Sequence, residues 1–152
     1  MKKQGLHMKS VITGLVLFSA QLANAACLDA EASNWMKRMM DARVTGGDFP
    51  SPFSGAVCQT SAVSGKETSS VCYWEYKYRN QDASETLDRF INALQSCFAV
   101  DQVPDDQPVN HPDSYDLYQY VIDETRVSLA LKDKAALNKT YVFLRFEPGS
   151  DG

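Results

Sequence analysis

The spacing of apolar positions changes period along the chain and divides it into helical and extended blocks. From Leu28 to Arg43 the residues Leu28, Ala32, Trp35, Met36, Met39 and Met40 recur every three or four positions, which predicts a helix with one buried face. Gly46-Gly47 ends it, and Phe49-Pro50-Ser51-Pro52-Phe53 is predicted to be extended, because proline lacks an amide hydrogen and restricts the residue before it. Two β-prone stretches follow, about 54–63 and 68–79, around the turn residues Ser64-Gly65-Lys66. In the second, Cys72, Trp74, Tyr76 and Tyr78 share one face and Glu75, Lys77 and Arg79 the other, the pattern of a half-buried strand. A turn centred on Gly65 sets Cys58 opposite Cys72.

Helical spacing returns after Asp82 and Glu85, which have the form of a capping box, with Leu87, Phe90, Ile91, Leu94, Cys97 and Phe98 as the apolar stripe. Residues 101–114 hold Pro104, Pro108 and Pro112 among Asp101, Asp105, Asp106 and Asp113 without a usable period, so a long surface loop is predicted. Strands are predicted at about 115–123, 126–132 and 140–147. Val127, Leu129 and Leu131 form the inner face of the middle one, Asp123-Glu124-Thr125 suits the bend before it, and a frayed tail is expected over 148–152. The order α-β-β-α-β-β-β, with no regular strand-helix-strand alternation, predicts a single α+β domain over 26–152. Its sheet is mainly antiparallel, of about five strands, with two helices packed on it.

The start of the chain follows a different rule. Lys2, Lys3 and Lys9 precede an apolar run from Val11 to Ala20 that is too short to span a bilayer, and Ala23-Asn24-Ala25 then offers small residues where a signal peptidase reads. Residues 1–25 are therefore read as a cleavable signal peptide, cut between Ala25 and Ala26, with Met8 an alternative start to Met1. Cys27 raises the question of lipidation, but Asn24-Ala25-Ala26 lacks the aliphatic residue expected three positions before a lipidated cysteine. A periplasmic protein without stable membrane insertion is expected.

Removal of the signal leaves 127 residues with 12 basic and 19 acidic side chains, a net charge of −7. Such a balance disfavours nucleic acid and anionic lipid and favours a basic partner. All four cysteines lie in the remaining part, and an even count in an oxidising compartment implies two disulfides. Antiparallel packing of the two helices would pair Cys27 with Cys97 and leave Cys58 to Cys72, a pairing slightly favoured over Cys27 with Cys58 and Cys72 with Cys97.

Catalytic chemistry finds little support. His111 is the only histidine left after cleavage, and the cysteines are better used as bridges than as nucleophiles. No nucleophile elbow, phosphate-binding glycine loop or Cys-x-x-Cys pair is present. Loop carboxylates could serve a small hydrolase, and their spacing fits no ordered calcium loop. No enzyme activity, cofactor or metal is expected. Tyrosine beside acid is more suggestive: Asp105, Asp106, His111, Asp113, Tyr115, Asp116, Tyr118 and Tyr120 are the candidate partner-contact residues, with Tyr118 and Tyr120 on one face that is either core or interface. The expectation is an envelope immunity or inhibitor protein that neutralises an enzyme or toxin by protein-protein contact. The alternatives are a carboxylate-dependent envelope hydrolase and a carrier of a small apolar ligand.

Overall fold

A computed structural model describes residues 26–45, 50, 53, 55–63, 67–104 and 115–149. The signal segment 1–25, Gly46-Gly47, Ser64-Gly65-Lys66 and the candidate residues Asp105, Asp106, His111 and Asp113 lie outside them.

Helix α1 (Ala30–Thr45) precedes strands β1 (Val57–Val63) and β2 (Glu67–Lys77), then come α2 (Gln81–Cys97), β3 (Tyr115–Ile122), β4 (Thr125–Lys134) and β5 (Lys139–Pro148). The strands form one antiparallel sheet in the order β1-β2-β5-β4-β3, and both helices pack on the same face of it. The expected α+β architecture and element order are therefore present.

Local chemistry sets the helix limits. The Asp29 carboxylate accepts the Ala32 amide at 2.9 Å, satisfying a donor that the first turn leaves without an intrahelical partner, so α1 begins at Ala30 and not Leu28. Helix α2 also starts earlier than Asp82. Arg79 adopts a left-handed backbone with φ 52°, Asn80 is extended, and the Asn80 side chain accepts the Asp82 amide at 3.0 Å. The cap is thus Asn80, and Glu85 instead accepts from the Gln81 side chain. At the other end Ala99 is left-handed at φ 52°, and the Val100 amide reaches back to the Leu94 carbonyl.

Between the layers, Trp35, Phe53, Trp74 and Phe90 form an aromatic cluster with ring centroids 5.1–6.0 Å apart. The buried Trp74 indole donates to the Phe53 carbonyl at 2.8 Å, so its one polar atom is satisfied. Met36, Met39, Leu94, Val127, Leu129, Val142, Leu144 and Phe146 complete the core.

The disulfides follow the favoured pairing. Cys27–Cys97 ties the segment before α1 to the end of α2, which fixes the helices antiparallel, with Cα atoms 4.4 Å apart. Cys58–Cys72 crosses directly between paired positions of β1 and β2, with Cα atoms 4.0 Å apart. At the far edge, Asp123 and Glu124 make the β3–β4 turn, Asp123 taking φ 51°. Pro148 lies within β5 and not in a frayed tail, because the Gly149 amide bonds the Glu124 carbonyl and holds the end of the strand against that turn.

A charged pair joins the helices. Arg89 donates to Asp29 at 2.7 Å and to Glu31 at 3.0 Å. Burial alone would raise the Asp29 carboxyl, but the Arg89 hydrogen bond and the Ala32 and Glu31 amides outweigh it and hold its pKa below the usual 3.8. The unfolded chain therefore takes up this proton first as pH falls, so the pair stabilises the fold above about pH 4 and is lost as pH drops through the folded pKa. Asp29→Asn keeps a capping oxygen and removes the charge. It is expected to cost of order 1 kcal/mol at pH 7, since Arg89 is partly solvated, and less at about pH 3, below the pKa of an unfolded aspartate. Urea midpoints of both proteins at the two pH values check this.

Candidate functional site

The face of the sheet turned away from the helices carries the most distinctive surface among the described residues. Side chains alternate along a strand, so the neighbours of the core positions Trp74, Leu129 and Leu144 face outward. Continuous register through the sheet sets Val57, Tyr73, Phe143, Ala130 and Leu117 in one row across all five strands. The row is partly shielded: Val57 is exposed, Tyr73, Leu117 and Phe143 are half-buried, and Ala130 between Phe143 and Leu117 is buried.

Neighbouring rings enlarge it. Tyr141 stacks on Phe143 with centroids 5.9 Å apart, and Tyr73 meets both at 6.1–6.2 Å. Towards β3 the face dips into a shallow depression of about 360 Å³, lined in part by Tyr115, Leu117, Lys132, Phe143 and Arg145. The Lys132 ammonium stands 5.6 Å from the centre of the Tyr115 ring. Ion pairs border the aromatics, Lys139 with Glu75 at 2.5 Å and Arg145 with Glu147 at 2.8 Å. Glu75 holds the Lys139 ammonium above its ordinary pKa, so that cation stays charged throughout the physiological range.

The candidate contact residues that are described divide between the two faces. Tyr115 lies on the open face, and Asp116 is exposed at the start of β3. Tyr118 packs against the core, and Tyr120 is 0 % exposed within it, so Tyr120 is not available as a surface contact. Both fall beneath the helix layer because Tyr120 opposes Val127, and Tyr118 opposes Leu129, on the inner face of β4. Burial raises the pKa of the Tyr120 hydroxyl and a weak hydrogen bond with the Gln95 side chain partly opposes this, but no contact of the hydroxyl has good hydrogen-bond geometry. A buried hydroxyl without a well-formed hydrogen bond costs free energy, so Tyr120→Phe is expected to leave stability unchanged or raise it by up to about 1 kcal/mol. A urea titration showing a clear loss would place a hydrogen bond there.

Three other places could hold chemistry. A groove of about 610 Å³ lies between α1, Phe98 and the β3–β4 turn, with Met40, Phe98 and Ile122 in its lining beside charges of both signs, Lys37 and Arg43 against Asp41, Asp123 and Glu124. Arg43 donates to Thr125 at 2.8 Å across it. The buried carboxylate Asp133 accepts from Thr140 at 2.6 Å and from Arg79 at 3.2 Å, beside a cavity of only about 120 Å³. Such a network ties the β2–α2 turn to β4 and β5 and leaves no room for a sizeable substrate. Asp116 and the Asp123-Glu124 turn stand at opposite ends of β3, about 23 Å apart at ~3.3 Å per residue. Carboxylates that cleave a glycosidic bond together lie within about 5–9.5 Å of each other, so these do not form such a pair.

Among the described residues no group of three or more histidine, cysteine or carboxylate side chains is placed to hold a metal, and no helix is long and apolar enough to cross a membrane. No protein-family model, curated protein or solved structure matches the chain. Sequence alone does not single out the outer aromatic face, because its residues are interleaved with core ones. The signal was present in the unbroken runs Cys72-Tyr73-Trp74 and Tyr141-Val142-Phe143-Leu144, which supply apolar side chains to both faces of a strand.

Proposed function

We propose that this is an exported binding protein of the envelope, most concretely an inhibitor or immunity protein. It neutralises an enzyme or toxin in the periplasm by protein-protein contact through the open face of its sheet. The observation that carries this reading is the row Val57, Tyr73, Phe143, Ala130 and Leu117. A sheet covered on one side would be expected to turn polar residues outward on the other, yet here aromatics lie across it with ion pairs at the border. An apolar centre with a polar rim is the usual anatomy of a protein interface. Two disulfides fit an oxidising compartment, and the signal-like segment 1–25 supplies a route to it.

Affinity capture from envelope extract tests the reading. The wild-type domain is expected to retain one stoichiometric protein partner, and the double variant Tyr73→Ser/Phe143→Ser to lose it while unfolding at a similar urea concentration. Equal capture by both proteins, or by neither, overturns the assignment.

The groove beside Met40, Phe98 and Ile122 favours a second reading, the carrier of a small amphiphile, since its volume lies in the range of small-molecule sites. Native mass spectrometry of the purified protein is the check: a co-purifying mass lost on Met40→Trp supports it, and a single apo mass counts against it.

A further inference from the structure

The sheet order places β1 and β3 at its two margins, and the two are protected unequally. At the β3 margin the Val103 amide bonds the Gln119 carbonyl at 2.7 Å from outside, and Asp116 sets an exposed charge on the strand. A covering segment and a charge are two usual defences of a strand edge. The β1 margin has neither among the described residues. Val57–Val63 holds no charged residue and no proline, and its register with β2 runs without a bulge from Val57 opposite Tyr73 to Val63 opposite Glu67. Alternate residues of a strand turn their amide and carbonyl to opposite sides, so those of β1 that turn away from β2 have no hydrogen-bond partner among the described residues. The centre of the strand is accessible from both faces. Gln59 and Ser61 are exposed on the outer face, and Thr60, opposite the buried Ser70, is exposed on the helix side, so the helix layer stops short of it.

We infer that β1 pairs antiparallel with β1 of a second copy of this chain across a two-fold axis at Thr60, joining two five-stranded sheets into one. The strand suits pairing with itself. About that axis Thr60 stands opposite Thr60, Gln59 opposite Ser61, Cys58 opposite Ala62 and Val57 opposite Val63, so no charge meets a like charge along the seam. All seven residues of each strand are used, giving a seam of about 23 Å with roughly six to eight backbone hydrogen bonds. An extended segment of another protein would satisfy the same backbone groups, but a second copy meets this strand at equal length and with a matching uncharged sequence. Paired residues of antiparallel strands project to the same side, so both helix layers lie on one side of the joined sheet and both open faces on the other. The seam covers neither open face and does not depend on what those faces bind.

Sedimentation equilibrium of the exported protein, purified with both disulfides formed, tests this over roughly 1–500 μM. The mass is expected to rise from one chain to two with a dissociation constant in the micromolar range, since the seam is small for a protein interface. Amide exchange within residues 59–61 should slow as the concentration rises. Thr60→Lys sets two ammonium groups against each other at the axis and is expected to weaken the dimer at least tenfold, while the dilute variant unfolds at a similar urea concentration. Gln59→Lys/Ser61→Lys repeats the repulsion from the outer face should Thr60→Lys fail to fold. A single-chain mass throughout overturns the proposal, and protection of residues 59–61 only in the captured envelope complex would assign the edge to a foreign strand. A dimer that survives both lysine variants also overturns it. Loss of that dimer in Tyr73→Ser/Phe143→Ser would show that the copies meet through their open faces instead.

Discussion

Trp74→Ala is expected to lower the unfolding free energy by about 3–5 kcal/mol, the range for emptying a large aromatic site in a packed core. Trp74 is 2 % exposed and touches Trp35 and Phe90, so the cavity would open in the cluster that joins α1, α2 and β2. The substitution also leaves the Phe53 carbonyl without its indole donor. One residue earlier, Tyr73 points to the other face and is half-buried, its ring meeting Tyr141 and Phe143, so Tyr73→Ala is expected to cost less than about 1.5 kcal/mol. Equilibrium urea unfolding of the two variants reads the difference. Similar losses at the two positions would mean that both faces of β2 are packed, and the open face would cease to exist.

Removing the Cys27–Cys97 bridge by Cys27→Ala/Cys97→Ala is expected to be the most costly change to the covalent framework. The chain-entropy account assigns about 4 kcal/mol to its separation of 70 residues and about 3 kcal/mol to the 14 residues of Cys58–Cys72. The geometry adds to the contrast. The first bridge closes the two-helix layer against itself, whereas β1 and β2 are already paired by seven register partners. Since a domain of this size has only about 5–15 kcal/mol in hand, the first variant should sit close to its unfolding threshold at 37 °C. Thermal unfolding of the two double variants checks the order, and the reverse order would show that the hairpin, not the helix pair, needs the staple.

Much of this fold is legible in the chain because apolar period is a direct consequence of which side meets the core. Leu87, Phe90 and Leu94 announce α2, and Val127, Leu129 and Leu131 announce β4, since each faces one covered side and one wetter side. The disulfide pairing was open on sequence alone; antiparallel helices and the β1–β2 register decide it, and both are tertiary facts. The cap of α2 is Asn80 and not Asp82, because a left-handed Arg79 and an extended Asn80 bring the asparagine side chain onto the Asp82 amide.

The proposed contact surface is harder to read from the sequence for a physical reason. Composition averages over the whole chain and does not say which side chains share a face. Tyr118 and Tyr120 attracted notice as clustered tyrosines, yet their strand partners Leu129 and Val127 carry them inward. Tyr73, Tyr141 and Phe143 are separated by 68 residues in sequence from first to second and meet only through the β2–β5 pairing. No local window contains that row.

The central claim is that the open sheet face is where this protein meets its partner, and hydroxyl-radical footprinting of the captured complex against the free domain tests it most directly. Tyr73, Tyr141 and Phe143 are half-buried and oxidisable in the free protein. In the complex their oxidation is expected to fall severalfold, while exposed residues of α1 and α2 keep their rates. Unchanged oxidation of those three rings, with protection appearing instead on the helices or around Lys37, Phe98 and Glu124, would contradict the account.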